Sequence, residues 1–233
     1  MVVASKRVFV SDKKARVIIF LGPPGSGKGT QAGLICKSVP GWVHVSTGDL
    51  FRKEISSGSA LGNSVKGILA AGGLVQDDTT NQIFGSQAGQ ILKSQGLKGL
   101  LLDGYPRTGA QAKFLLDFVQ KNSLEAPSVI ELDVPEAEIV DRLSQRWVNP
   151  RSGRVYHAVS NPPKRAGVDD EDGQPLIQRP DDQPEVIRGR YKTYETQKGG
   201  ILEALKGIAH RKVSGTGPIQ GITDGLIRVV SGT

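Results

Sequence analysis

Lys28 closes the run "GPPGSGKG" between Gly22 and Gly29, and Thr30 follows. Glycines let successive backbone N–H groups converge on one anion, and the lysine adds charge near the terminal phosphates of a nucleotide. The run therefore reads as a phosphate-binding loop, its glycines supplying backbone N–H groups and Lys28 the charge. Such loops usually carry a Ser or Thr after the lysine to bind magnesium; here Gly29 stands there, so the metal must be oriented from elsewhere. Asp103 in "LLDGYPRTGAQ" is the candidate, because a carboxylate at the C-terminal end of a buried strand lies where α/β sheets place ligands. It can orient magnesium-bound water beside the loop. Arg107, four residues on, is positioned to reach a second anion.

These residues need elements to hold them. "RVIIFLG" from Arg16 is short, β-branched and ends in Gly, as a buried parallel strand should be. After the loop, Ala32, Ile35, Cys36 and Val39 repeat at the helical period, so the loop joins a strand to a helix N-terminus. "WVHV", "GLLLDG", "VIELDV" and "RKVSG" are further buried-strand candidates, with helical patterns between most of them. The fold class this predicts is α/β, a parallel sheet with crossover helices on its faces. Ile219, Ile222, Leu226, Val229 and Val230 mark a closing amphipathic helix. Two stretches break the rhythm: Thr47 to Val75, helical in pattern with several Gly, and Trp147 to Asp182, rich in Gly, Pro, Asp and Arg. A loop of that second length reads as a lid or inserted subdomain, in which Val155, Tyr156, Leu176 and Ile177 support a small hairpin.

The chain has 233 residues, room for one large domain, and a single Cys, which rules out an internal disulfide and makes Cys36 a buried reduced thiol. The formal charge is +7, yet no Lys/Arg run with interleaved aromatics occurs, which argues against nucleic acid as a partner. No stretch has the apolar length of a membrane span, so the expectation is a soluble intracellular protein. Residues 1–15 form an N-terminal extension that is basic, with Asp12 its one acid; it reads as a solvated tail or a weak transit peptide. The cytoplasm is the expected compartment and the mitochondrion the alternative. His44, His157 and His210 receive no catalytic role and read as packing or surface residues.

Taken in order, "GPPGSGKGT", "STGDLFR", "LLDGYPRTGAQ", "DRLSQRWVNPRSGRVYH", "NPPK" and "QRPDDQPEVIRGR" resemble the adenylate kinases, nucleoside monophosphate kinases of the long-LID type. The resemblance covers about Val17 to the C-terminus. It implies a P-loop NTPase-type parallel sheet in residues 16–233, an AMP-binding helical insertion at 46–75 and a small LID at 147–182. It also implies Mg2+-dependent phosphoryl transfer between ATP and AMP in a monomer. Carried over by motif, Gly25 to Thr30 hold the ATP phosphates and Arg142 and Arg146 clamp the donor, with Val155, Tyr156 and Gly217 near its base. Thr47, Arg52, Gly73, Leu74, Val75 and the turn Gly104, Tyr105, Pro106 and Arg107 enclose AMP, and Gln111 reads adenine. Arg179 and Arg190 bridge the two phosphate sites, so the catalytic set is Lys28, Arg107, Arg142, Arg146, Arg179 and Arg190.

The sequence departs from some relatives where four cysteines would hold zinc: Asn149, Ser152, Asp169 and Asp172 stand there, and no zinc is expected. Gly73 replaces a frequent Lys, so any contact there is made by backbone. "RWVNPRSGRVY" and "PLIQRPDDQPE" also resemble GTP:AMP phosphotransferases, which makes GTP the alternative donor. A non-catalytic nucleotide-binding module is the remaining alternative, and it would be marked by missing clamp arginines, none of which is missing here.

Overall fold

The computed structural model describes residues 14–232, so most of the N-terminal extension lies outside the described residues. In chain order, β1 (Arg16–Leu21), α1 (Lys28–Ser38), β2 (Trp42–Ser46), α2 (Thr47–Ser57), α3 (Ala60–Ala70), α4 (Asp77–Ile91) and β3 (Gly99–Asp103) form the first half. Then come α5 (Gly109–Lys121), β4 (Ser128–Asp133), α6 (Glu136–Ser144), β5 (Arg146–Val148), β6 (Val155–His157), a 3-10 turn (Pro180–Asp182), α7 (Pro184–Ala204), β7 (Ala209–Ser214) and α8 (Ile219–Ser231). Five strands make one parallel sheet in the order β2-β3-β1-β4-β7.

The side-chain period of two divides β1 between two cores. Val17, Ile19 and Leu21 pack with Phe84, Leu115 and Ile201 on one face; Ile18 and Phe20 pack with Ile35, Leu101 and Leu226 on the other. Both faces are covered by helices, as the unbroken apolar run requires. The register pairs Phe20 and Ser46 with Asp103, so β1, β2 and β3 end level and their following loops leave the sheet together.

β7 departs from the expected buried strand. It is the edge of the sheet, and five of its six residues are exposed. Its exposed Lys212 Nζ pairs with Asp133 Oδ2 at 2.9 Å, and charged side chains of this kind keep an open edge from pairing with another chain. Cys36 is half-buried rather than buried, because it lies at the margin of the second core, and burial still pushes its thiol upward.

The first interruption holds α2 and α3, each started by a serine cap. Ser46 Oγ accepts from Asp49 N at 3.2 Å, and Ser59 Oγ accepts from Gly62 N at 2.9 Å; caps of this kind contribute about 1 kcal/mol each. Their apolar sides enclose Phe51, Val65 and Val75 in a small core of their own. The second interruption is the antiparallel hairpin β5–β6, which pairs Trp147 with Tyr156, and Ile177 bridges back to Val148. Tyr156 and Leu176 are buried beneath it, and Tyr156 Oη accepts from Asp170 N at 2.9 Å.

The side chains of Asn149, Ser152, Asp169 and Asp172 are all hydrogen-bonded within this region. Asn149 Nδ2 donates to both carboxylate oxygens of Asp172 at 2.8 and 2.9 Å, while its Oδ1 accepts from the backbone N–H groups of Arg151 and Ser152. Arg154 pairs with Asp169 and Glu171. Among the described residues no helix is long and apolar enough to cross a membrane.

Candidate active site

The loops at the level ends of the strands surround one cavity of about 690 Å³. The loop 22–28 crosses its floor between β1 and α1. Gly22 has φ +147°, and a Cβ there would lie 2.7 Å from the Leu132 carbonyl, so only glycine lets the chain turn this close to β4. Gly25, Ser26, Gly27, Lys28, Gly29 and Thr30 all line the cavity. Lys28 folds back over the loop, its Nζ donating to the carbonyls of Gly22 and Pro23, each at 2.8 Å.

Gly29 has a second steric consequence. A Cβ at this position would sit 3.0 Å from Asp103 Oδ2, so the missing side chain leaves the carboxylate room against the loop. Burial alone would raise Asp103, but His44 and Lys28 outweigh it and hold the carboxyl down at about 2. His44 Nε2 lies 3.5 Å from Asp103 Oδ2, an ion-pair spacing rather than a hydrogen bond, and the imidazole is raised despite its burial. His44 is thus a cavity residue beside the key carboxylate, not the packing or surface residue expected. The available sequence signal was its spacing of two from Ser46 on β2, which puts both on one face.

Seven cations line the cavity: Lys28, Arg52, Arg107, Arg142, Arg146, Arg179 and Arg190. Asp49, Asp103, Glu138 and Asp141 are the carboxylates that line it. Arg107 Nε donates to the Gly104 carbonyl at 3.0 Å, and Arg142 Nη2 donates to the Gly215 carbonyl at 2.7 Å and pairs with Glu138. The turn Pro180–Asp182 supplies two more carboxylates. Arg146 Nε donates to Asp182 Oδ2 at 2.8 Å, and Arg190 Nη1 lies 2.8 Å from Asp181 Oδ2. The "PDD" acids therefore aim the arginines, a role invisible when each arginine is considered singly.

Positive charge is left in excess. Burial, reinforced by Arg107, Arg190 and Arg146, lowers Lys28 to about 8 against the pull of Asp103. Burial and Arg52 press Arg179 down to about 9, and burial and Arg190 press Arg107 to about 10. Guanidinium does not give up its proton in proteins, so the pressure registers as a stored demand for anions. Arg179 Nε makes the same demand: it is buried with no hydrogen-bond partner among the described residues.

On the other side, a small pocket of about 20 Å³ adjoins the cavity. Thr47, Gly73, Val75 and Gln111 line it, while Leu74 and Arg107 line both spaces. Thr47 Oγ1 donates to the Gly104 carbonyl at 2.6 Å. Val155, Tyr156 and Gly217 line the large cavity at the hairpin side, as do Gly104 and Pro106 at the turn. Tyr105 is the exception among the expected site residues and lines neither space. Its ring is buried and stacked on Phe84 with centroids 4.1 Å apart, and its Oη donates to Asn81 Oδ1 at 2.7 Å. Turn geometry sends Tyr105 into the core while its neighbours face out. Of the other histidines, His157 lines the hairpin side, and His210 Nε2 lies 2.9 Å from Glu131 Oε2. Among the described residues, no three His, Cys, Asp or Glu side chains group as metal ligands.

A glycine-rich loop and a cluster of arginines thus line one cavity that a smaller pocket adjoins. The family described as Adenylate kinase matches residues 20–209. The chain belongs to the adenylate kinase family. The match runs from β1 to the first residue of β7 and includes both interruptions. Membership makes this adenylate kinase relative a nucleoside monophosphate kinase, a phosphotransferase whose small-molecule partners are nucleotides.

Proposed function

We propose that the chain catalyses reversible, Mg2+-dependent transfer of the terminal phosphoryl group of ATP to AMP, giving two ADP. The observation that carries this reading is the single cavity in which the loop of Lys28 faces Arg107, Arg179 and Arg190, with the Gln111 pocket adjoining. Gly25 to Thr30 bind the donor phosphates, and Arg142 and Arg146 close on them from the hairpin side. The donor base lies near Val155, Tyr156 and Gly217. AMP enters from the side of α2 and α3, its phosphate beside Arg52 and Arg107 and its adenine against Gln111, Gly73, Leu74 and Val75.

Transfer needs alignment and charge neutralisation rather than a protein nucleophile. The AMP phosphate oxygen attacks, and the six catalytic cations Lys28, Arg107, Arg142, Arg146, Arg179 and Arg190 meet the negative charge spread over the equatorial oxygens. Lys28, already charged below about pH 8, holds its proton more firmly when phosphate arrives. Asp103, ionised and free to approach the loop at Gly29, fits a role in orienting water on magnesium, which the nucleotide phosphates would themselves hold. A magnesium ion held there would supply positive charge to the donor phosphates. Closure of residues 147–182 as a LID, and of 46–75 over AMP, excludes water and so prevents ATP hydrolysis.

A monomer without structural zinc, working in the cytoplasm with the mitochondrion as alternative, belongs to the same reading. GTP is the second donor, favoured by the likeness of "RWVNPRSGRVY" to GTP:AMP phosphotransferases. The test is to incubate the protein and Mg2+ with ATP or GTP against AMP, CMP, UMP and GMP and to separate the products. ADP formed from AMP, faster with ATP, is expected; no ADP from either donor would overturn the reading, and a faster GTP reaction would exchange the donor.

A further inference from the structure

The Gln111 side chain is buried, and its carboxamide is held at both ends. Its Oε1 accepts the Arg107 backbone N–H at 2.7 Å, and its Nε2 donates to Asp77 Oδ1 at 2.8 Å. These partners leave the amide no choice of orientation, because a backbone N–H can only donate and a carboxylate oxygen can only accept. Asp77 is fixed in its turn by Thr108, the N-cap of α5. Thr108 Oγ1 donates to the same Asp77 oxygen at 3.0 Å while accepting the Gln111 backbone N–H at 3.1 Å. The first residue of α4 is thereby tied to the first turn of α5, and Asp77 itself lines neither the cavity nor the pocket.

With these bonds made, one N–H of Nε2 and one lone pair of Oε1 remain for a ligand in the small pocket. A 6-aminopurine offers an acceptor at N1 beside a donor at its amino group; a 6-oxopurine offers the reverse. A carboxamide free to turn over would serve both equally. Turning this one over would set Oε1 against Asp77 Oδ1 and the Nε2 hydrogens against the Arg107 N–H, two mismatches in a buried place.

We propose that Asp77 is a positioning residue that locks the Gln111 carboxamide in the orientation complementary to adenine and so sets the preference for AMP over 6-oxopurine monophosphates. The inference rests on Gln111 as the adenine contact of the proposed function. The probe is IMP, which has nearly the size and shape of AMP and reverses its hydrogen-bonding edge.

The experiment measures kcat and KM for AMP and for IMP at saturating Mg-ATP in the wild type and in Asp77→Ala, Asp77→Asn and Gln111→Leu. Removing a hydrogen bond to a charged acceptor should lower the AMP-to-IMP ratio of kcat/KM about tenfold in Asp77→Ala. The loss should fall on KM for AMP, with kcat at saturating AMP retained. Asp77→Asn keeps an acceptor at Oδ1 and should preserve most of the ratio. An unchanged ratio in Asp77→Ala, or a fall in kcat alike for both substrates, overturns the lock. A ratio unchanged in Gln111→Leu overturns the underlying reading of Gln111 instead, so the two failures are distinguishable. Should Asp77→Ala not fold, Asp77→Ser, too short to reach the amide, carries the same expectation.

Discussion

Replacing Lys28 with Met should abolish a pH dependence of stability that the wild type shows in the absence of nucleotide. Burial, with Arg107, Arg190 and Arg146, lowers Lys28 from 10.5 to about 8 in the folded protein, whereas the unfolded chain keeps the ordinary value. Between those limits the unfolded chain binds more protons, so stability must rise with pH; below about pH 8 both states are charged and the penalty is fully present. Working the two values through the linkage relation gives a wild-type gain of about 2 kcal/mol between pH 8 and pH 10. The Met variant also loses the contacts to the Gly22 and Pro23 carbonyls, worth about 1 kcal/mol each. That loss is the same at both pH values, so the difference between them isolates the charge. Cys36, raised by burial from 9.0, and Tyr105 and Tyr194, raised from 10.0, act in the opposite direction within the same range, so the Lys28 share is read as the difference in slope between the two proteins. Urea unfolding followed by tryptophan fluorescence at pH 8, 9 and 10 would measure the slope. A slope as steep in Lys28→Met as in the wild type would refute the assignment of the cost to this lysine.

Arg107→Ala should fold normally by circular dichroism yet transfer phosphate at least about 100-fold more slowly, since Arg107 lines both the cavity and the small pocket; an unchanged initial rate contradicts its placement. Arg154→Ala should leave Asp169 buried without its cation, speed amide hydrogen exchange across 147–182 and leave the sheet unaffected, while unaltered exchange there would contradict the role given to this pair. The purified protein should carry no stoichiometric zinc by metal analysis, because Asn149, Ser152, Asp169 and Asp172 offer no thiolate; one zinc per chain would contradict this.

Much of the sheet was legible because β1, β3 and β4 carry apolar residues on both faces, a pattern that only a strand between two helical layers requires. The edge strand β7 escaped the same reading, since Val213 is its one half-buried residue and its other side chains face solvent. The glycine-rich loop and Arg107 stood out by residue type and spacing, whereas Arg142, Arg146, Arg179 and Arg190 were singled out only through the resemblance of their motifs. What aims them was not legible. Asp181 and Asp182 meet Arg190 and Arg146 only after the hairpin folds back, and Asp77 meets Gln111 across 34 positions. His44 comes beside Asp103 through the pairing of β2 with β3, and Tyr105 turns inward because the ring of Phe84 waits there. Partners distant in sequence leave no local pattern, so the groups that do chemistry can be read from the chain while those that orient them need the fold.

Direct transfer between two nucleotides held in one cavity that excludes water fixes where the phosphoryl group must go. The measurement that tests it most directly is a single turnover with ATP labelled in its γ-phosphate, excess protein, Mg2+ and AMP. The label should appear in the β position of ADP formed from AMP, with none on the protein and almost none as inorganic phosphate. Label recovered chiefly as inorganic phosphate, with AMP unchanged, would contradict the account.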